Sequence, residues 1–286
     1  MRSGATAAVV CVGLTTLDVV QRFAGPLMRG VKAVSDEVEL AAGGPAANAA
    51  VTCAALGVPV TLVTAIGSGG ASGVVHDDLQ RHGVRVVDCA GPGWQLPVAC
   101  VLVERDGTRT VLSPGARASD ARPTPEALAA LDAAGVVLLD GHHPRLAEAA
   151  LGRGAVVVVD AGSPKPHVEQ WLPRVDVLAA SADYAVGLGL TAEQVVDRGL
   201  AGGCHGVVVT QGGDDVLWAE GDRRGRRRPP VVEVVDTNGA GDAFHGALVA
   251  ALAAGDGLDA AVARASDIAS RRVTVAGARG WLGLLG

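Results

Sequence analysis

Runs of consecutive apolar residues, rich in Val and Leu, recur along the chain and end at a polar residue or a glycine. They cover 7–13, 60–67, 136–140, 156–160, 175–179 and 207–210. A strand buried on one face alternates apolar and polar positions, whereas a strand covered on both faces reads as a continuous apolar run. The pattern therefore predicts a parallel sheet with both faces covered. Helix-like stretches fall between the runs, at 46–56, 73–82, 125–134 and 241–254, and each stops at or just before a glycine. Strand and helix alternate, which predicts a doubly wound α/β fold.

Two stretches break the alternation. Segments 19–39 and 97–112 hold short alternating runs with turn chemistry, such as Glu104-Arg105-Asp106-Gly107. The second reads as a hairpin. Both are expected to form a small β flap, or lid, over one end of the sheet. No long linker, repeat or low-complexity tract appears, so 1–286 is read as a single domain carrying this lid.

Composition narrows the function classes. Hydrophobic residues make up 49% of the chain but Phe, Trp and Tyr only 2%, so the core must be built from Val, Ala and Leu. Such apolar content argues against a disordered chain. The net charge of −6 argues against nucleic acid as a partner. The one basic cluster, Arg223, Arg224, Arg226, Arg227 and Arg228, is read as a solvated loop between strands rather than a polyanion patch. Five cysteines without a CxxC pair indicate neither a disulfide framework nor a zinc site, and suit a reducing, cytoplasmic setting. Glycines, Pro45 and Pro59 break up the long uncharged stretch 40–75, so no membrane span is expected. Only two lysines are present, Lys32 and Lys165, and neither follows a glycine as in a Walker loop, which excludes a P-loop kinase.

The most informative segment is Val234-Val235-Asp236-Thr237-Asn238-Gly239-Ala240-Gly241-Asp242. It reads as a short strand, a small-residue turn and a helix start. Unpaired N–H groups at a helix N-terminus favour an anion. Asp242 beside them makes chemical sense as the acceptor of a proton from a hydroxyl attacking a phosphate. An Asp that merely caps the helix is the competing reading.

This segment resembles the C-terminal signature of the PfkB (ribokinase-like) carbohydrate kinases, Asp-Thr-x-Gly-Ala-Gly-Asp, in full. The resemblance implies that Asp242 is the catalytic base and that Gly239, Ala240 and Gly241 form an anion hole. Val12-Gly13 followed by Asp18, and Gly43-Gly44-Pro45-Ala46-Ala47-Asn48, resemble the family's sugar-binding segments. Asp18, Gly43, Gly44 and Asn48 are thereby expected at the substrate, with Arg109, Asp140 and His142 as further candidates. Val207-Val208-Val209-Thr210-Gln211-Gly212 resembles the strand end bordering the nucleotide. The expected nucleotide contacts are Ser181, Thr210, Gly212, Asp236 and Thr237. Details such as Phe244-His245-Gly246-Ala247 resemble fructokinase-like and sulfofructose-kinase-like members.

The implied activity is ATP-dependent phosphorylation of a hydroxyl on a small sugar. Mg2+ is the implied companion of ATP, a monovalent-cation requirement stays open, and apolar lid faces make a homodimer a candidate assembly. Two departures stand out. The family's Asn-x-x-Glu motif is replaced by Ser181-Ala182-Asp183-Tyr184, and an acidic turn by Gly67-Ser68-Gly69-Gly70. A nucleoside kinase of the same fold, and a binding protein that has lost catalysis, are the alternatives. His142-His143 lack a third ligand partner in sequence, so no metal-binding residue is assigned.

Overall fold

The computed structural model describes residues 6–105, 108–114 and 121–285. Asp106 and Gly107, half of the expected hairpin turn, lie outside the described residues. In chain order the elements are β1 (Val9–Val12), β2 (Thr16–Phe23), β3 (Glu37–Gly43), α1 (Pro45–Ala55), β4 (Val60–Thr64), α2 (Gly70–Arg81), β5 (Arg85–Asp88), β6 (Val98–Glu104) and β7 (Arg109–Leu112). Then follow α3 (Pro125–Asp132), β8 (Val136–Leu139), α4 (Pro144–Ala150), β9 (Val156–Ala161), α5 (Pro166–Trp171), β10 (Val177–Ser181), α6 (Ala182–Leu188) and α7 (Ala192–Ala201). The last are β11 (Gly206–Thr210), β12 (Val216–Glu220), β13 (Arg223–Arg227), α8 (Ala240–Ala253) and α9 (Leu258–Arg272).

Nine strands form one sheet in the order β13-β12-β11-β10-β9-β8-β1-β4-β5. Pairing is parallel from β11 to β5, while β12 and β13 run antiparallel. The unbroken apolar runs have the expected cause. Val9 and Cys11 point into a core layer shared with α1, α8 and α9, and Val10 and Val12 into a second layer shared with α3 to α7. Each strand is thus covered on both faces.

The lid is a four-stranded sheet, ordered β3-β2-β6-β7. Its strands extend beyond the expected segments, so that Asp18 and Gly43 sit on β2 and β3. One face is left apolar and open, with Val38 57%, Leu40 51% and Leu112 72% exposed.

Two expectations need correction. The arginine-rich segment is an edge strand, β13, paired to β12, and not a loop. Arg224 pairs with Asp197, Arg226 with Glu193 and Arg228 with Asp214, which neutralises most of its charge. Charged side chains also discourage pairing of an exposed edge with another chain. The other correction concerns Val234-Val235, which form no strand; that segment is held by backbone bonds from Val235 and Asp236 to the carbonyl of Val273. Among the described residues no helix is long and apolar enough to cross a membrane.

Small residues set the helix spacing. A Cβ built on Gly246 of α8 would lie 2.5 Å from the carbonyl oxygen of Ala49 on α1. The helices therefore touch backbone to backbone, and neither can yield cheaply. Gly246→Ala should lower stability by about 1–3 kcal/mol despite alanine's better helix propensity. Urea denaturation reads this directly, and an unchanged or raised midpoint would show that α1 and α8 can separate.

Candidate active site

Two carboxylates shape the loops at the carboxyl ends of the central strands. A Cβ on Gly13 would fall 2.1 Å from the carboxylate of Asp140, and one on Gly43 would fall 2.1 Å from that of Asp18. Glycine at both positions leaves room for the acids. Gly44 is the N-cap of α1 with φ 94°, followed by Pro45 in the first turn. Both residues suit an abrupt helix start.

Asp140 is engaged by three backbone N–H groups. Its Oδ2 accepts the N–H of Leu14 at 2.8 Å and that of Ala46 at 3.2 Å, and its Oδ1 accepts the N–H of His142 at 2.9 Å. It is a buried clamp joining β8, the loop after β1 and the start of α1. His142 follows it on the same loop, and its side chain is only partly buried.

Asp236 is likewise held by donors within the protein. Its carboxylate accepts from the Asn238 N–H at 2.9 Å, the Gly277 N–H at 3.1 Å and the Arg22 guanidinium at 2.9 Å. Burial would raise its pKa, but these donors and Arg272 hold it below the ordinary carboxylate range. It ties together the lid, the signature turn and the C-terminal segment. Thr237 is exposed, and its carbonyl accepts the N–H of Ala240.

The remaining residues converge. Gly239 is the N-cap of α8 with φ 71°, and no side chain caps that helix. Its first turn therefore keeps N–H groups for a ligand, and the helix dipole favours an anion there. Asp242 lies in that turn. Asn48 of α1 donates from Nδ2 to Asp242 Oδ2 at 2.8 Å. Asp18 accepts from the Thr16 hydroxyl at 2.6 Å. Asp18, Asn48, Asn238 and Gly239 line one narrow cleft. Arg109 reaches it from the lid, donating to the Asn238 side chain at 2.9 Å.

Sequence reasoning missed Arg272 and Arg279, which line the same cleft. Arg279 donates to Asn48 Oδ1 at 3.1 Å, to Asp78 at 3.0 Å and to the carbonyl of Ala42. It fixes the Asn48 amide so that its N–H faces Asp242. The Gly277-Ala278-Arg279 segment carries no motif that marks this role.

A second group sits beside the cleft. Ser181 and Thr210 are register partners at the ends of β10 and β11, and Gly212 adopts φ 61° in the loop that follows. Ser181 caps α6 and also donates to the carbonyl of Gly162 at 3.1 Å. Where the Asn-x-x-Glu acid would stand, Tyr184 is buried and donates to Glu169 at 3.0 Å. Glu169 in turn pairs with Arg198 at 2.8 Å. Among the described residues no group of three or more His, Cys, Asp or Glu is able to hold a metal.

Asp242 has the ionisation of a usable base. Burial and the charges of Asp160 and Asp18 push its pKa up to about 6, against the Asn48 hydrogen bond and the charge of His245. Burial also raises Asp18, partly offset by the Thr16 hydrogen bond and Arg279.

Comparison with known proteins agrees with this arrangement. The pfkB family carbohydrate kinase pattern matches residues 6–282. Ribokinase of Bacillus subtilis is 26% identical over 282 residues, 95% of this chain and 94% of that protein. Adenosine kinase of Schizosaccharomyces pombe is 42% identical over 74 residues, 25% of this chain and 22% of that protein. The structure of Arabidopsis thaliana ribokinase complexed with ribose and ATP matches with a TM-score of 0.80 at 24% identity, covering 98% of this chain and 99% of that one. These relatives are ribokinases and an adenosine kinase, so the expected leaning toward fructokinases is not reflected in them. With an uncapped helix start, a carboxylate of raised pKa beside it and a family match over nearly its whole length, the chain belongs to the pfkB family of carbohydrate kinases.

Proposed function

We propose that the chain transfers the γ-phosphoryl group of ATP to a hydroxyl of a small sugar, with ribose the first acceptor to test, and that Asp242 is the catalytic base. The observation that carries this reading is the Asn48–Asp242 hydrogen bond at the uncapped start of α8. Asn48 occupies Oδ2 and leaves Oδ1 to take a proton. The ribokinase relatives support the sugar, and the complex of one of them with ribose and ATP supports the nucleotide.

In this reading Asp18 and Asn48 hold the acceptor hydroxyls against Gly43 and Gly44. Asp242 takes the proton as the hydroxyl oxygen bonds to the γ-phosphorus and the bond to the β-phosphate bridging oxygen breaks. The Gly239-Ala240-Gly241 backbone receives the negative charge gathered on the transferring group. Ser181, Thr210 and Gly212 border the nucleotide. Among the described residues no metal cage is formed; magnesium held mainly by phosphate oxygens and waters needs none. Arg109 closes the lid over the signature turn, and the whole chain works as one kinase unit. The free thiols of all five cysteines support a reducing, cytoplasmic compartment.

A nucleoside acceptor is the second reading, favoured by the local adenosine kinase match. ADP release should be measured with ATP and magnesium against ribose, other aldoses, ketoses, sugar acids and nucleosides. Turnover with a sugar is expected, and Asp242→Asn should lower kcat by at least about a hundredfold. Silence across the panel with ATP still bound would favour a homologue that has lost catalysis. Full activity in the variant would remove Asp242 from the base role.

The raised pKa of Asp242 predicts two pH effects with opposite benefits. The base must be ionised, so kcat/KM should fall as pH drops through about 6. For stability the sign reverses. A carboxyl raised from 3.8 to about 6 favours the folded state below the lower value, and that contribution is lost as pH rises to the upper one. Asp242→Asn should therefore melt higher than the parent at pH 8, by at most about 3 kcal/mol, with less expected because Asp242 keeps some exposure to water. Equal melting temperatures at pH 8 would show that the carboxylate is not strained.

The open apolar face of the lid supports a homodimer through that sheet. Sedimentation of the parent and of a Leu40→Glu, Leu112→Glu variant tests it. A dimer that the variant abolishes is expected; a monomeric parent would refute it.

A further inference from the structure

One buried ion pair plays no part in the mechanism just given. His245 lies one helical turn after Asp242 on α8 and is 3% exposed, and Asp160 on β9 is 5% exposed. His245 Nδ1 stands 3.1 Å from Asp160 Oδ2. Neither ring nitrogen of His245 has an aligned hydrogen-bond partner among the described residues, and the contact is an ion pair when the imidazole is protonated. Such a pair is a poor way to fill a core, since two buried charges with unspent hydrogen-bonding capacity carry a desolvation penalty that apolar side chains would not. Its position suggests what it does instead. Residues three apart share a helix face, so the imidazole is stacked directly beneath the Asp242 turn.

We propose that the Asp160–His245 pair is a positioning element for Asp242, in which a protonated His245 offsets the Asp160 charge that would otherwise suppress ionisation of the Asp242 carboxylate. Asp160 holds the imidazolium from the side of the sheet. This rests on the reading of Asp242 as the base. Toward Asp242 the two partners act in opposite senses, Asp160 pushing its pKa up and His245 pulling it down. Burial pulls the His245 pKa down, but Asp160 and then Asp242 push it above the ordinary value. Burial would raise Asp160, yet His245, Lys165 and His142 hold it low. The other charges facing Asp242 are Asp18 on β2 and Arg272 on α9, while Arg279 acts on it through Asn48. None of these is altered in the variants below.

The test reads protonation directly and needs no acceptor sugar. In 15N-histidine-labelled parent protein the His245 ring, recognised by its contact with the Phe244 ring 5.8 Å away, should be imidazolium at pH 7.5. A neutral ring would overturn the proposal without any substitution. In 13C-aspartate-labelled protein, the Asp242 carboxyl, assigned by its loss in Asp242→Asn, should titrate about one pH unit higher in His245→Gln, a roughly tenfold weaker acid. The double variant Asp160→Asn, His245→Gln removes both charges and should return the Asp242 titration toward that of the parent. A purely structural role predicts no such return, since the second substitution would only add damage. An unmoved Asp242 titration in His245→Gln, or a double variant displaced as far as the single one, would refute the proposal. If the charge effects appear while Asp242→Asn keeps full kinase activity, the pair stands and the base assignment falls.

Discussion

The site depends on one hydrogen bond, from Asn48 at the start of α1 to Asp242 at the start of α8. It joins the half of the cleft built by the lid and β1 to the half built by the signature turn. The bond is only as precise as the distance between the two helices, and that distance is set further along them. Alanines on α1 and Gly246 on α8 let the backbones touch, so the helices act as a rigid fork. At the tip, Arg279 holds the other side of the Asn48 amide and leaves its N–H no choice but Asp242. A core with few aromatics serves this purpose, because small side chains fix backbone positions more closely than large ones, which can change rotamer.

The acids near the cleft divide by what holds them. Asp140 and Asp236 are each surrounded by backbone N–H groups or guanidinium, so their charge is spent within the protein. Asp18 and Asp242 have fewer donors and carry raised pKa values, the state of groups waiting for a ligand. The contrast is physical and needs no comparison with relatives. It separates the four carboxylates that a motif reading treats alike.

This division was not legible in the sequence, although much else was. The runs at 7–13, 60–67 and 136–140 announced themselves as strands because burial on both faces removes polar residues. The helix start at Gly239 to Asp242 was legible because glycines and a lone acid have few other uses together. By contrast, β13 was hidden because its four arginines satisfy edge-strand protection, which looks like solvation in one dimension. Arg279 was hidden for a different reason. Its partners Asp78 and Asn48 lie about 200 residues away in sequence, and only the fold brings the three together. The Val234-Val235 pair misled because two β-branched residues say nothing about whether a neighbouring strand has a free edge.

The replaced Asn-x-x-Glu segment shows how a departure from the family pattern is absorbed. Tyr184 does not leave a hole where the acid would stand. Its ring is buried, and its hydroxyl donates to Glu169, which Arg198 holds from outside. The hydrogen bond to an ionised Glu169, together with burial, makes the phenol a weaker acid still, so the tyrosine stays neutral at any pH the protein meets. This corner of the nucleotide side is therefore packed and uncharged at position 184, and the nearest buried carboxylate in sequence order is Asp160 on the neighbouring strand β9. That carboxylate is already engaged by His245. The buried charge nearest this corner is thus a pair held in the protein interior rather than an acid that faces solvent.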